Sequence, residues 1–223
     1  MWGPEETLIE DQFDLGIIAN TTDTSKALNQ CTRYLVICHG IIPAERPAGQ
    51  KVAFTSEQVR DHWKGAGPII RQPIDLDFWS PIEPDRKYLT RFSYRSGLSF
   101  VPVLAKSLGL HPFHLRNADQ KRARDIVRQS ACVIATGRAA LEAMACGVPV
   151  VICDHRSSYQ KPLFDPDTTG SMKRNYSGRG GVRPTLDNIK QAVKDAMAAG
   201  SMRQHVEDYH NVQDIVDDLL EAA

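Results

Sequence analysis

The sequence lacks any apolar run approaching the roughly 18 residues that a membrane span requires. It also lacks the basic and then apolar start of a secretory signal, since MWGPEETLIEDQFD opens acidic; the expected location is cytoplasmic. Net charge is absent, with 27 Lys and Arg against 27 Asp and Glu, which excludes a surface that as a whole attracts nucleic acid or membrane. There is no CxxC pair. The five cysteines (Cys31, Cys38, Cys132, Cys146, Cys153) are odd in number and mostly sit in apolar runs such as YLVICHG and VVICDH. They read as buried reduced thiols rather than a disulfide framework or zinc site, and no metal ligands are expected. Internal repeats and a Ser-His-Asp or Cys-His constellation are missing too.

What remains is an ordinary globular composition. Hydrophobic residues make up 42% and charged residues 24%, which excludes disordered, collagen-like and coiled-coil chains, and 223 residues suffice for one large domain or two small ones. Short Val- and Ile-rich runs alternate with stretches of helical period, the pattern of strand-helix-strand units around a parallel sheet. Strands are expected at 15–19, 34–38, 52–54, 88–92, 112–115, 132–135 and 150–153. Helices are expected at 56–64, 97–108, 118–129, 138–146, 185–198 and 202–220. SEQVRDHW opens with a Ser cap and stops at GAG.

Two punctuated stretches divide the chain. RQPIDLDFWSPIEPDR carries three prolines and no helical period and reads as an interlobe linker. The expected organisation is a short N-terminal, acceptor-side lobe at 1–75, a linker at 76–85, a nucleotide-sugar-binding Rossmann-like lobe at 86–200 and a C-terminal helix at 201–223. The second stretch, 155–184, is poor in apolar residues and long enough to be a functional loop. Charge is uneven despite its zero sum. Ten Lys or Arg stand against two acids between Arg86 and Arg128. KRARDIVR reads as a solvated helix face. Arg91 and Arg95 instead flank the end of a strand, where parallel folds bind ligands.

The most informative segment is SACVIATGRAALEAMACGVPVVICDH, at 130–155. It places a strand, a Thr-Gly turn, a helix opening at Arg138 and a second strand in succession. Free N–H groups at that helix start can hold a phosphate, and Gly137 lets the backbone approach it. One turn on, Glu142 can accept hydrogen bonds from the two hydroxyls of a ribose.

At these residues the chain resembles a family. GRAALEAMACGVPVV is similar to the nucleotide-sugar motif of GT-B fold glycosyltransferases, above all the family-four retaining enzymes, whose E-x7-E element ends in EAMACGxPVV. KVAFTSEQVRDHWKGAGPIIRQPIDLDFW resembles their interlobe segment, and RYLVICHG the strand before it. The resemblance covers about 14–184. It implies an α/β fold of Rossmann-type parallel sheets with a shortened N-terminal lobe and a fuller nucleotide-binding lobe. It assigns Glu142 to the donor ribose, Arg91 and Arg95 to the donor diphosphate, and His39 to the donor sugar or acceptor hydroxyl; His39 also reads as a strand-end histidine satisfied by backbone. SMKRNYSGRGGVRP resembles a stretch that puts Arg174, Asn175, Ser177, Gly178 and Arg179 near the pocket mouth, and it reads equally as a surface loop. The chain departs from the family at Ile134, where the first Glu of E-x7-E would fall, and at IATGRA, which replaces the EGFG loop; there Gly137 and Arg138 can take over part of the contact to phosphate or sugar.

Three readings stand. The first is a retaining, metal-independent glycosyltransferase using a UDP- or GDP-linked sugar as donor substrate, with no cofactor and an acceptor that is a glycan, lipid, small molecule or modified nucleic acid. The second is a non-catalytic nucleotide-sugar-binding or assembly subunit. The third is a transferase acting on modified bases of DNA. A short N-terminal lobe with an unfinished sheet edge would favour homo-oligomers.

Overall fold

The computed structural model describes residues 13–19, 31–41, 43, 46–47, 51–83, 85–92, 100–153, 169–178 and 185–223. Among them are seven strands and eight helices, which fall into two compact units: Met1–Ile70 with Asp217–Ala223, and Arg71–Val216.

The first unit is built on a parallel sheet of β1 (Phe13–Ala19), β2 (Cys31–Cys38) and β3 (Val52–Phe54), in that order. α1 (Glu57–Trp63) follows β3. The Ser56 hydroxyl caps it by accepting the Val59 N–H at 3.4 Å, and Lys64 ends it in the left-handed region at φ 53°. The helix stops at Lys64, one residue before the expected glycine. Gly67 is needed for a different reason: a Cβ there would sit 1.7 Å from the Val52 carbonyl oxygen, so only glycine lets this loop press against β3. Cys38, Phe54 and Val59 form the core, with Trp63 and Ile69 packed on it.

The second unit carries a four-stranded parallel sheet of β4 (Tyr88–Phe92), β5 (His111–Leu115), β6 (Ser130–Ala135) and β7 (Val150–Ile152), ordered β5-β4-β6-β7. Every residue of β6 is buried, as expected of a central strand covered on both faces. Alternation divides its side chains. Val133 and Ala135 join the core formed with α3 (Gln120–Arg128) and α4 (Arg138–Ala145), while Cys132 and Ile134 join the core formed with α2 (Val101–Ser107) and α6 (Leu186–Ala199). α3 is capped by Asp119, whose carboxylate accepts the Arg122 N–H at 2.9 Å. α6 opens with a reciprocal Thr185–Asn188 capping box. The expected strands all form, and the expected α/β architecture of Rossmann-type parallel sheets is the one observed.

Three expectations need correction. The 202–220 helix is two helices, α7 (Arg203–His210) and α8 (Val212–Ala222), because Asn211 adopts an extended φ of −58° and ψ of 127°. The stretch read as a linker is packed: Ile74 and Trp79 are buried in the core with α3 and α4, and Ile74 bridges to Asn211. The 155–184 stretch is not wholly loop, since it contains α5 (Thr169–Lys173) and the buried Tyr176.

Candidate functional site

In the order β5-β4-β6-β7 the chain steps from β4 outward to β5, then crosses back to β6. α2 therefore covers one face, and α3 and α4 cover the other. Such a reversal opens a crevice beyond the carboxyl ends of the strands. A cleft of about 270 Å³ lies there, near the lower end of the range for ligand pockets. Phe92 ends β4 in its wall, Arg116 and Asn117 follow β5, Trp79 comes from the 71–86 stretch, and Arg138, Ala139 and Glu142 come from the first turns of α4.

Gly137 makes the entry to α4 possible. Its φ of 57° and ψ of −138° lie in a region that is essentially reserved for glycine, and its N–H donates to the Tyr176 carbonyl at 2.9 Å. The first-turn N–H groups of Arg138 and Ala139 have no intrahelical acceptor by construction, so the turn offers donors and the positive end of the helix dipole to the cleft. The carboxyl end is provided for as well: Arg203 Nη1 donates to the Ala145 carbonyl at 2.5 Å, and Arg86 Nη2 to the Gly147 carbonyl at 2.9 Å.

Glu142 is buried at 7% exposure, and that burial raises its pKa; the Arg138 guanidinium works in the opposite direction, with Nε 3.0 Å from Oε1. A carboxylate held this way can accept two hydroxyl hydrogen bonds without leaving the wall. The charged residues lining the cleft are Arg116, Arg138 and Glu142, an excess of one cation.

Gly137, Arg138 and Glu142 are thus brought together. Arg91 is not among the cleft-lining residues. It shares the face of Leu89, that of the core with α2 and α6, where it is buried at 6% exposure. Burial lowers its pKa, the nearby Cys153 thiol opposes that shift, and Arg116 adds repulsion. Arg174 stands exposed on the turn after α5, two residues before Tyr176, whose carbonyl holds Gly137. Asn175 on that turn accepts from the Gln72 amide at 2.8 Å. His39 belongs to the first unit, half-buried at the end of β2, where its carbonyl lies 3.4 Å from the Thr55 hydroxyl. Arg95 and Arg179 lie outside the described residues.

Trp79 and Asn117 were not expected at the site, and Arg116 was counted only within the basic excess. The signal was available for two of them, because Arg116 and Asn117 directly follow a strand expected to end at 115. Among the described residues no group of three His, Cys, Asp or Glu side chains is placed to hold a metal ion, and no helix is long and apolar enough to cross a membrane.

No protein-family model matches the chain, and no curated protein matches it. Among solved structures it is similar to the sucrose-phosphate synthase of Thermosynechococcus elongatus, with a TM-score of 0.57 at 12% identity, covering 93% of this chain and 72% of that one. At that identity the likeness is one of fold, and the chain has a glycosyltransferase-like, GT-B type of fold.

Proposed function

We propose that the chain is a glycosyltransferase that binds a nucleotide diphosphate-sugar in the second unit's cleft and passes the sugar to an acceptor hydroxyl. The observation that carries this reading is the joint placement of the start of α4, at Arg138 and Ala139, and the buried carboxylate of Glu142 in one cleft at the strand-order reversal. The helix start takes the diphosphate, and Glu142 the ribose hydroxyls. In the reaction the bond from the anomeric carbon to the diphosphate breaks, a bond to the acceptor oxygen forms, and the acceptor proton is released. The charge left on the diphosphate falls on the first-turn amides and Arg138, with Arg91 and Arg116 adding positive potential. The family resemblance assigns His39 to the donor sugar or acceptor hydroxyl. Retention of anomeric configuration, independence of metal, and a UDP or GDP donor follow from the family resemblance and belong to the proposal.

One observation favours a second reading, a nucleotide-sugar-binding subunit without turnover. Ile134, in the place of a sugar-contacting Glu, is buried in the core with α2 and α6. An acceptor of nucleic acid gains less support, because Arg124 stacks on Phe78 at 4.6 Å and Arg128 donates to the Ser80 carbonyl at 2.6 Å. Two members of the basic run are therefore engaged internally.

The test is a thermal-shift and calorimetric screen with UDP, GDP, ADP and their common sugar conjugates on wild type, Glu142→Ala and Arg138→Ala. A ligand at a hundred times its dissociation constant stabilises the fold by about 2.7 kcal/mol. Stabilisation of wild type that both variants lose supports the site, and sugar release from the bound conjugate then separates transferase from binding subunit. Absence of binding by every nucleotide overturns the reading.

A further inference from the structure

Outside the cleft the second unit buries a polar chain to which nothing so far assigns a role. The Tyr176 ring is 1% exposed, and its hydroxyl lies 2.5 Å from His205 Nε2 and 2.9 Å from His210 Nε2. His210, also 1% exposed, places Nδ1 2.9 Å from the Gln72 carbonyl. The proton order follows from the chemistry of the groups. A carbonyl only accepts, so His210 Nδ1 carries the hydrogen. Neutral His210 then presents a lone pair at Nε2, which must receive the single proton of the Tyr176 hydroxyl. With that proton committed, the phenol oxygen accepts from His205 Nε2–H. The chain runs His205 to Tyr176 to His210 to Gln72, each donor with one acceptor. Burial holds His210 neutral by lowering its pKa to about 4.

The turn that carries Tyr176 also reaches the residue before α4, whose first residues line the cleft. Asn175 and Tyr176 both adopt φ of 51°, the left-handed region that non-glycine residues rarely occupy. Gln72 holds Asn175 directly, through its side-chain amide, and Tyr176 by way of His210, whose Nδ1–H its backbone carbonyl accepts. The strained turn delivers the Tyr176 carbonyl to the Gly137 N–H.

We infer that Tyr176, ordered by His205 and His210, is a positioning residue that latches the Gly137 turn and so sets the diphosphate-binding geometry of α4. The inference deepens the nucleotide reading and rests on it for its effect on affinity. The latch itself is a property of the fold.

Tyr176→Phe keeps the ring and removes only the hydroxyl. Two measurements on it are decisive: hydrogen exchange of the Gly137 amide by NMR, and calorimetry with UDP, GDP and ADP against uridine, guanosine and adenosine. Loss of the two hydrogen bonds of this hydroxyl should raise Gly137 exchange about tenfold or more and weaken a bound diphosphate by a similar factor, with its nucleoside unchanged. His205→Gln, which still offers an N–H, should behave as wild type, while His205→Leu should behave as Tyr176→Phe. Nitrogen shifts should report the Nδ1–H tautomer of His210. Gly137 exchange at the wild-type rate in Tyr176→Phe, equal weakening of diphosphate and nucleoside, or an Nε2–H tautomer overturns the inference. If wild type binds none of the six compounds, the nucleotide reading fails, while Gly137 exchange still decides the latch.

Discussion

Arg138 Nε donates to Glu142 Oε1 across 3.0 Å, one helical turn apart, with the arginine half exposed and the carboxylate nine-tenths buried. The arrangement runs against local rules for helices. A cation in the first turn opposes the helix dipole, and the order of cation before anion is the weaker orientation of an i,i+4 pair. Residues that break local preference tend to mark function. Arg138→Ala removes the counter-charge of a carboxylate that is nine-tenths buried, so it should cost about 1–3 kcal/mol of stability at pH 7. It should weaken nucleotide diphosphate binding about tenfold or more, the scale of a lost charge-assisted hydrogen bond. Urea midpoints and calorimetry on the same preparation separate the two effects.

Glu142→Gln should move stability and binding in opposite directions. Burial raises the pKa of Glu142, so its contribution is fully present below the unfolded carboxyl value and is lost as pH rises through the folded one. At pH 7 the ionised carboxylate is a cost, which the amide removes. The variant should then have the higher urea midpoint at pH 7, the advantage should vanish near pH 4, and nucleotide affinity should fall at both. A midpoint below wild type at pH 7 would show that Arg138 more than offsets the burial.

Gly137→Ala isolates backbone strain. Nothing lies within 4 Å of a Cβ built at this position, so the added methyl meets open space and the whole cost is the backbone conformation. That cost should be about 1–3 kcal/mol in denaturant unfolding with an unchanged m-value. A neutral result would mean that the turn relaxes out of its observed φ and ψ.

His210 should make stability fall on mild acidification. Burial comes first among the causes that lower its pKa from 6.5 to about 4; the bond to the Gln72 carbonyl opposes the shift, and His205 and Arg71 add repulsion. Because the folded value is depressed, the unfolded chain takes up a proton that the folded one refuses. Stability is complete above about pH 6.5, declines between 6.5 and 4, and levels off below, a loss of about 3 kcal/mol at most. His210→Gln should flatten that part of the profile, read as the difference between the two proteins in urea midpoint at pH 7, 5.5 and 4.5.

How far the sequence reaches can be argued from single residues. The strand at 150–152 and its six predecessors were legible because β-branched runs between helical periods have few alternatives. Gly137 and Glu142 were legible because a strand, a Gly turn and a helix in succession fix which end of the helix faces the ligand side. Ile74 and Trp79 were not, because three prolines nearby signal a loop, and only a distant partner, Asn211 in the case of Ile74, turns that loop into core. Tyr176 was hidden for the same reason. Its two histidines lie on α7, and no local pattern joins them to an NYSG turn. The face of Arg91 was half legible: alternation pairs it with Leu89, but which face carries the cleft depends on crossover geometry.

Position 134 gives the sharpest test of where the resemblance stops. Ile134 ends no loop; it sits in β6 at 1% exposure, opposite Val151, with its side chain in the core formed with α2 and α6. A carboxylate placed there would be buried across the ladder from Arg91, its register partner on β4, so desolvation is only partly offset by the guanidinium and Ile134→Glu should destabilise the fold by about 1–4 kcal/mol. Ile134→Val removes one methylene and should cost about 0.5–1.5 kcal/mol. Circular dichroism and urea unfolding of the pair measure both. A folded Ile134→Glu protein with tightened binding of a nucleotide sugar over its free nucleotide would instead mean that β6 ends earlier in solution and that the position turns to the cleft. A collapsed fold means that any contact to the transferred sugar is made elsewhere, with the Arg138 guanidinium and the first-turn amides of Arg138 and Ala139 as groups able to supply it.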